Sequence, residues 1–253
     1  NTAVGASALQ NNTTASNNTA LGYQAGYSNT TQGDNTVLGA YAFYSSTVGV
    51  SNTVIGRSAM AAGSGGSNNT AIGYTSLYNN NASENTAVGY QSLYTNSTGA
   101  YNTAVGHKAL QFTTTGQINT AVGNAAMQTN TTGGNNAAVG QATLFRNTTG
   151  SFNSALGYQS GDYVTTGSYN TYLGYGTGGT SLTTGIGNLY VGYNSIASGN
   201  TNFEIVVAVG GIAGKGSSTG FISPNSGGVY QGNNSSTWST VSDERLKKNI
   251  VDN

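Results

Sequence analysis

One short phrase returns twelve times along the chain: Asn, a small or β-branched residue, Ala or a near relative, a branched aliphatic, then Gly. It begins as Asn1-Thr2-Ala3-Val4-Gly5 and recurs from Asn18, Asn35, Asn52, Asn69, Asn85, Asn102, Asn119, Asn136, Asn153, Asn170 and Asn188. The step is seventeen residues, shortened to sixteen after Asn69 and lengthened to eighteen after Asn170. A fixed short period with units nearly end to end marks a solenoid, in which each repeat packs only on its neighbours. The repeat overrides the one-or-two-domain prior that 253 residues would set. The expected fold is all-β: a parallel β-solenoid, or β-roll, of about twelve 17-residue coils over residues 1–198. Such a rod has neighbours rather than a central pocket, so structural or adhesive work is the first expectation.

Residues one period apart stack at about 4.8 Å in a parallel solenoid, so aligned positions become columns. The fourth column is aliphatic throughout: Val4, Leu21, Leu38, Ile55, Ile72, Val88, Val105, Val122, Val139, Leu156, Leu173 and Val191. It reads as the structural core. A second apolar column lies five residues on, as Leu9, Phe43, Met60, Leu77, Leu93, Leu110, Met127, Leu144 and Ile196, interrupted by Gly26, Gly161 and Gly178. Two apolar columns predict two strands per coil. The invariant Asn predicts a buried ladder in which each amide bonds the backbone or the next Asn. Gly in the fifth column permits positive φ or close backbone approach at the turn. Both irregular steps fall between the second apolar column and the next Asn, around Asn79–Glu84 and Gly178–Ser181, which identifies the loop edge of the coil.

So thin a roll buries little apolar surface per coil, and this predicts packing against further copies in a homotrimer. The third column, small as in Ala3, Ala20, Ala71, Ala87, Ala104, Ala121, Ala138 and Ala155, is the expected contact between chains. Its change to Tyr172 and Tyr190 predicts altered packing in the last two coils. Twelve coils make a shaft of roughly 58 Å, and the open first coil presents strand edges that allow end-to-end filament growth.

Composition narrows the functions. Charged residues are 6% of the chain and the formal net charge is zero. That leaves no basic stripe for nucleic acid and no polybasic segment for an anionic membrane. No apolar run approaches the roughly 18 residues a membrane helix needs, so membrane insertion is not expected. Small polar residues abound, yet a strict apolar period argues for order. The absence of cysteine excludes disulfides and thiolate metal sites. Calcium-binding solenoid repeats need an Asp in each turn, and the repeat region holds only Asp34 and Asp162. Lone His107 has no ligand partner in register and reads as a surface residue. No cofactor is expected. The chain begins in phase with a repeat and without Met, and reads as a piece of a longer polypeptide.

The unit Asn102-Thr103-Ala104-Val105-Gly106 resembles the head repeats of trimeric autotransporter adhesins and the matching repeats of bacteriophage tail fibres. The resemblance covers residues 1 to about 198 and implies trimers of left-handed parallel β-rolls. Asn202-Phe203-Glu204-Ile205-Val206-Val207, followed by Gly214-Lys215-Gly216-Ser217, looks like the segment that closes such rolls, so residues 199–241 are expected to be a roll-closing β region. Ser242-Asp243-Glu244-Arg245-Leu246-Lys247-Lys248-Asn249-Ile250 is similar to the opening of the endosialidase-type intramolecular chaperone domain, which would begin at residues 242–253. That family trimerises the fibre and then cuts itself off. Carried across, the resemblance makes Ser242 the nucleophile and Lys247 its base, with cleavage between Val241 and Ser242. Leu246 and Ile250, at i and i+4, also fit one face of a short C-terminal helix capped by Ser242.

The chain has 17 tyrosines, arranged in columns: Tyr23, Tyr74, Tyr90, Tyr158, Tyr175 and Tyr193 after the Gly, and Tyr27, Tyr44, Tyr78 and Tyr94 further on. Stacked aromatics suit the apolar faces of sugars, which makes Tyr74 and Tyr90 candidate glycan contacts. A Thr column from Thr2 to Thr120 raises ice binding, but Ala and an aliphatic follow each Thr where a flat ice face wants Thr-x-Thr. The expected function is therefore a non-enzymatic extracellular fibre shaft, from a virion tail fibre or a bacterial surface, that attaches to a cell-surface glycan or receptor. The competing readings are a self-processing fibre precursor and a glycan- or ice-binding solenoid.

Overall fold

The computed structural model describes residues 1–210, 213–223, 228–232 and 237–240. Ser242, Lys247 and the expected C-terminal helix lie outside these described residues. Among the described residues the secondary structure is all-β, a single sheet of sixteen strands in sequence order. Eleven three-residue strands come first: β1 (Thr2–Val4), β2 (Thr19–Leu21), β3 (Thr36–Leu38), β4 (Thr53–Ile55), β5 (Thr70–Ile72), β6 (Thr86–Val88), β7 (Thr103–Val105), β8 (Thr120–Val122), β9 (Ala137–Val139), β10 (Ser154–Leu156) and β11 (Thr171–Leu173). They are followed by β12 (Leu189–Tyr193), β13 (Ile205–Val209) and β14 (Gly220–Ser223).

From β1 to β14 each strand pairs in parallel with its successor, one period apart in the regular coils, as in Val105 opposite Val122. The irregular steps keep register, with Thr70 opposite Thr86 and Thr171 opposite Leu189. The chain is thus a parallel β-solenoid, and it does not stop at residue 198. β13 and β14 extend the same parallel sheet, and antiparallel pairing begins only with β15 (Val229–Gln231) and β16 (Trp238–Thr240).

Each coil has one strand rather than two. The second apolar column sits in a run of turns where positions seven and nine take positive φ, as in Ser7 (59°), Leu9 (51°), Lys108 (58°) and Leu110 (50°). Backbone pairing continues there without extended chain: the Gln24 N–H donates to the Ala6 carbonyl below, and the Leu9 N–H donates to the Ala25 carbonyl above. Coil-to-coil bonds satisfy the main chain, so the left-handed residues are held by stacking rather than by their own preference. The fifth-column glycines satisfy both expectations at once. Gly106 has φ 137° and lies so close to the next coil that a Cβ there would run into the Gly123 carbonyl.

The inside and the outside differ from the expected core. Asn102 and Ala104 are buried, and side chains alternate along a strand, so Thr103 and Val105 must face outward. In the fourth column Val4, Leu21, Leu38, Val139, Leu156 and Leu173 are exposed, Val4 by 55%, while Ile55, Ile72, Val88, Val105, Val122 and Val191 are half-buried. The aliphatic column is an outer face, not the core. The third column is interior, with Ala104 and Ala121 at 0% exposure, and is not the outward contact expected of it. What fills the roll is that alanine column, the second apolar column, and small residues of the eighth position such as Ala109 and Ser92. The packing does change at the end: Tyr172 and Tyr190 stack inside the roll, ring centres 5.7 Å apart.

Candidate functional site

The outer face of the sheet is the surface on which this fold could act. Alternation brings three columns to it: the residue before each Asn, the Thr column and the aliphatic column. Near the start the first of these is polar, as Asn17, Asp34 and Ser51. Further along it becomes Tyr101, Ile118, Phe152, Tyr169 and Phe203, all exposed. Phe152 and Tyr169 stack at 4.9 Å with planes 4° apart. An outward aliphatic column, exposed near both ends and half-buried between, therefore runs along the shaft, and aromatic residues join it in several of the later coils, with Asn135 and Gly187 as breaks.

Asparagines tie this face to the loops behind it. Asn102 Oδ1 accepts from the backbone N–H of Asn119 at 3.0 Å and from its side-chain Nδ2 at 3.1 Å, while Asn102 Nδ2 donates to the Gly116 carbonyl at 2.9 Å. The expected ladder is present. A second, unexpected one stands at position twelve, where Asn96 Nδ2 donates to Asn80 Oδ1 at 2.7 Å and Asn147 Nδ2 to Asn130 Oδ1 at 3.2 Å. The two ladders converge, since the Gly133 carbonyl accepts from Asn119 at 2.9 Å and from Asn130 at 3.0 Å. Each amide so placed ties strand to loop, and a buried amide left without these partners would cost stability. The signal was available in the sequence, as Asn recurs at 12, 29, 80, 96, 130 and 147.

Glu204 occupies the next position of the first ladder. Its backbone N–H donates to Asn188 Oδ1 at 2.8 Å, and its side chain is wholly buried. Five donors converge on the carboxylate: the Tyr190 hydroxyl (2.8 Å), the Thr201 hydroxyl (3.0 Å), the Ser198 N–H (3.3 Å) and hydroxyl (3.0 Å), and the Gly216 N–H (2.8 Å). Neutral donors in this number substitute for water around a buried carboxylate. The Gly214–Ser217 loop thus wraps a charged plug where the asparagines end. The resemblance implies a closing element in this segment, and Glu204 stands there in the ladder position that Asn holds in every coil before it.

Tyr74 and Tyr90 stack at 5.6 Å with planes 8° apart, and Tyr90 stacks on His107 at 5.1 Å. The Arg57 guanidinium lies 5.9 Å from the Tyr74 ring centre. The ring faces are therefore turned toward the neighbours above and below, and solvent sees edges and hydroxyls. His107 is exposed, as expected, though its Nδ1 lies 3.2 Å from Asn124 Nδ2. Among the described residues no three His, Asp or Glu side chains cluster closely enough to hold a metal ion. No family model, curated protein or solved structure matches the chain.

Proposed function

We propose that the chain is the shaft of an extracellular fibre, a structural and adhesive element whose outer faces pack together in a homotrimer. The observation that carries the reading is the continuous outward column from Val4 to Val191, aliphatic in every coil and in register along the sheet. Isolated soluble chains rarely expose a contiguous apolar strip of this length, and such strips mark association surfaces. Burying the exposed part of a dozen aliphatic side chains would contribute on the order of 10 kcal/mol per chain. The number three follows the resemblance to adhesin heads and tail fibres. Three identical shafts bundled together present each surface feature three times, so weak contacts with a glycan or receptor gain avidity without a deep pocket.

Light scattering tests the association. The expected mass is three times 25.5 kDa. Replacing Val105 and Val122 with Lys, which faces water in the single chain, is expected to yield monomers with an unchanged far-UV spectrum. A wild-type chain that runs as a monomer would remove the proposal.

A further inference from the structure

The columns that follow the fifth-position glycine are interrupted in the coil that begins at Asn170. The coils on either side carry Gln159 and Asn194 at position seven, where this coil has Gly176. At position ten it has Gly179 where the coil before has Asp162. Two missing side chains in one coil open a cleft of about 360 Å³, lined by Gln159, Asp162, Tyr163, Tyr175, Tyr193 and Asn194. It spans the distance between the two outer coils, about 10 Å at two solenoid steps. The cleft lies past the turn from the aliphatic column, on another side of the coil.

Asp162 gives the cleft its chemistry. The residue is about nine-tenths buried, and Oδ1 has no hydrogen-bond partner in the protein. Burial raises its carboxyl above the ordinary range, with the Arg146 charge pulling the other way. A buried acceptor without a donor is costly, and its carboxyl group belongs to a residue that lines the cleft, so a ligand hydroxyl reaching that carboxyl supplies a donor the protein lacks. Arg146 lies 4.0 Å over one face of the Tyr163 ring, from the coil before, leaving the other face for the cleft that ring lines. The amides of Gln159 and Asn194 both donate and accept. Arg146 offsets the single acid, so the surroundings favour neither a cation nor an anion.

We propose that this notch binds a neutral saccharide of one or two rings. One sugar hydroxyl donates to the Asp162 carboxyl group, neighbouring hydroxyls exchange hydrogen bonds with Gln159 and Asn194, and an apolar sugar face rests on Tyr163. The site lies within one chain and does not depend on the fibre reading or on trimerisation.

Saturation-transfer NMR on the full chain tests it, with a panel of neutral hexoses, N-acetylhexosamines, deoxyhexoses and their disaccharides, beside tetramethylammonium chloride and sodium sulfate. At least one saccharide is expected to give a saturable signal at millimolar concentration. Asp162→Ala and Asn194→Ala should each weaken that binding about tenfold or more, in line with the loss of a charged or amide partner, while the far-UV spectrum and cooperative melting are retained. Silence across the panel, binding of tetramethylammonium or sulfate in place of sugar, or a sugar affinity that survives both substitutions would each overturn the proposal.

Discussion

Tyr172 fills the space that Gly178 leaves empty: a methyl group on Gly178 would come within 2.8 Å of the ring carbon Cε1. Gly161, one coil earlier, stands in the same relation to Cδ2, also at 2.8 Å. In most of the shaft the arrangement is reversed, with Ala104 in the third column and Leu110 in the ninth. In the coil that begins at Asn170 the third column supplies the large side chain, and the ninth column shrinks to glycine there and one coil earlier.

Gly161→Ala should therefore cost about 1–3 kcal/mol through overpacking. In a Tyr172→Ala background the same change should cost less, because the ring is gone, while Leu144 Cδ2, also 2.8 Å away, and the φ of 66° keep part of the cost. Urea denaturation of both single variants and the double variant measures the coupling. Purely additive costs would show that ring and glycine do not exchange space.

The ladder predicts a larger penalty for a polar residue than for an apolar one. Asn102→Ala leaves the Asn119 N–H and the Gly116 carbonyl without their side-chain partners inside the roll. A loss of about 2–4 kcal/mol is expected from these unmet groups. Val105→Ala, on the outer face, should cost under about 1 kcal/mol in the single chain. Thermal melts of the two variants, taken at a concentration where the chain is monomeric, make the comparison.

Alkaline stability should be set by the two interior tyrosines. Burial holds the Tyr172 hydroxyl well above its ordinary value of 10.0, and burial likewise raises Tyr190, beside the Glu204 carboxylate. In the unfolded chain both ionise near 10, so their contribution is fully present below that pH and is lost as pH rises above it. Each should remove about 1.4 kcal/mol per pH unit. Absorbance at 295 nm should show two of the 17 tyrosines ionising only as the far-UV signal disappears.

Removing residues 102–118, one full period, should leave a shorter but intact solenoid. Tyr101 would then precede Asn119, which can take the place of Asn102 in both strand and ladder. The far-UV spectrum per residue should be unchanged. Removing 102–110 instead breaks the columns and should unfold the roll from that point, seen as a loss of ellipticity and of cooperative melting.

The period, the register, the Asn ladder, the fifth-column turn and the loop edge were all legible in the sequence because each depends on spacing alone. Orientation was misread at Val105. Side-chain size suggested a core, whereas burial of Asn102 together with a two-residue alternation already puts Ala104 inside and Val105 outside. The missing second strand has a different cause. Leu110 and Met127 adopt positive φ that their own preferences oppose, and hydrogen bonds from adjacent coils together with burial in the core hold them there. The cleft at Asp162 escaped notice because it is made by absences in the following coil, Gly176 and Gly179, which no pattern of present residues reports.

That cleft lies beside the single eighteen-residue step, and the extra residue there leaves Thr171 opposite Leu189 undisturbed. Length changes at this edge do not propagate into the strands, because register is carried by the asparagines on the opposite flank of the loop. A filament built this way separates its grip from its backbone: the rim is free to diversify toward new targets while the mast that carries it stays the same.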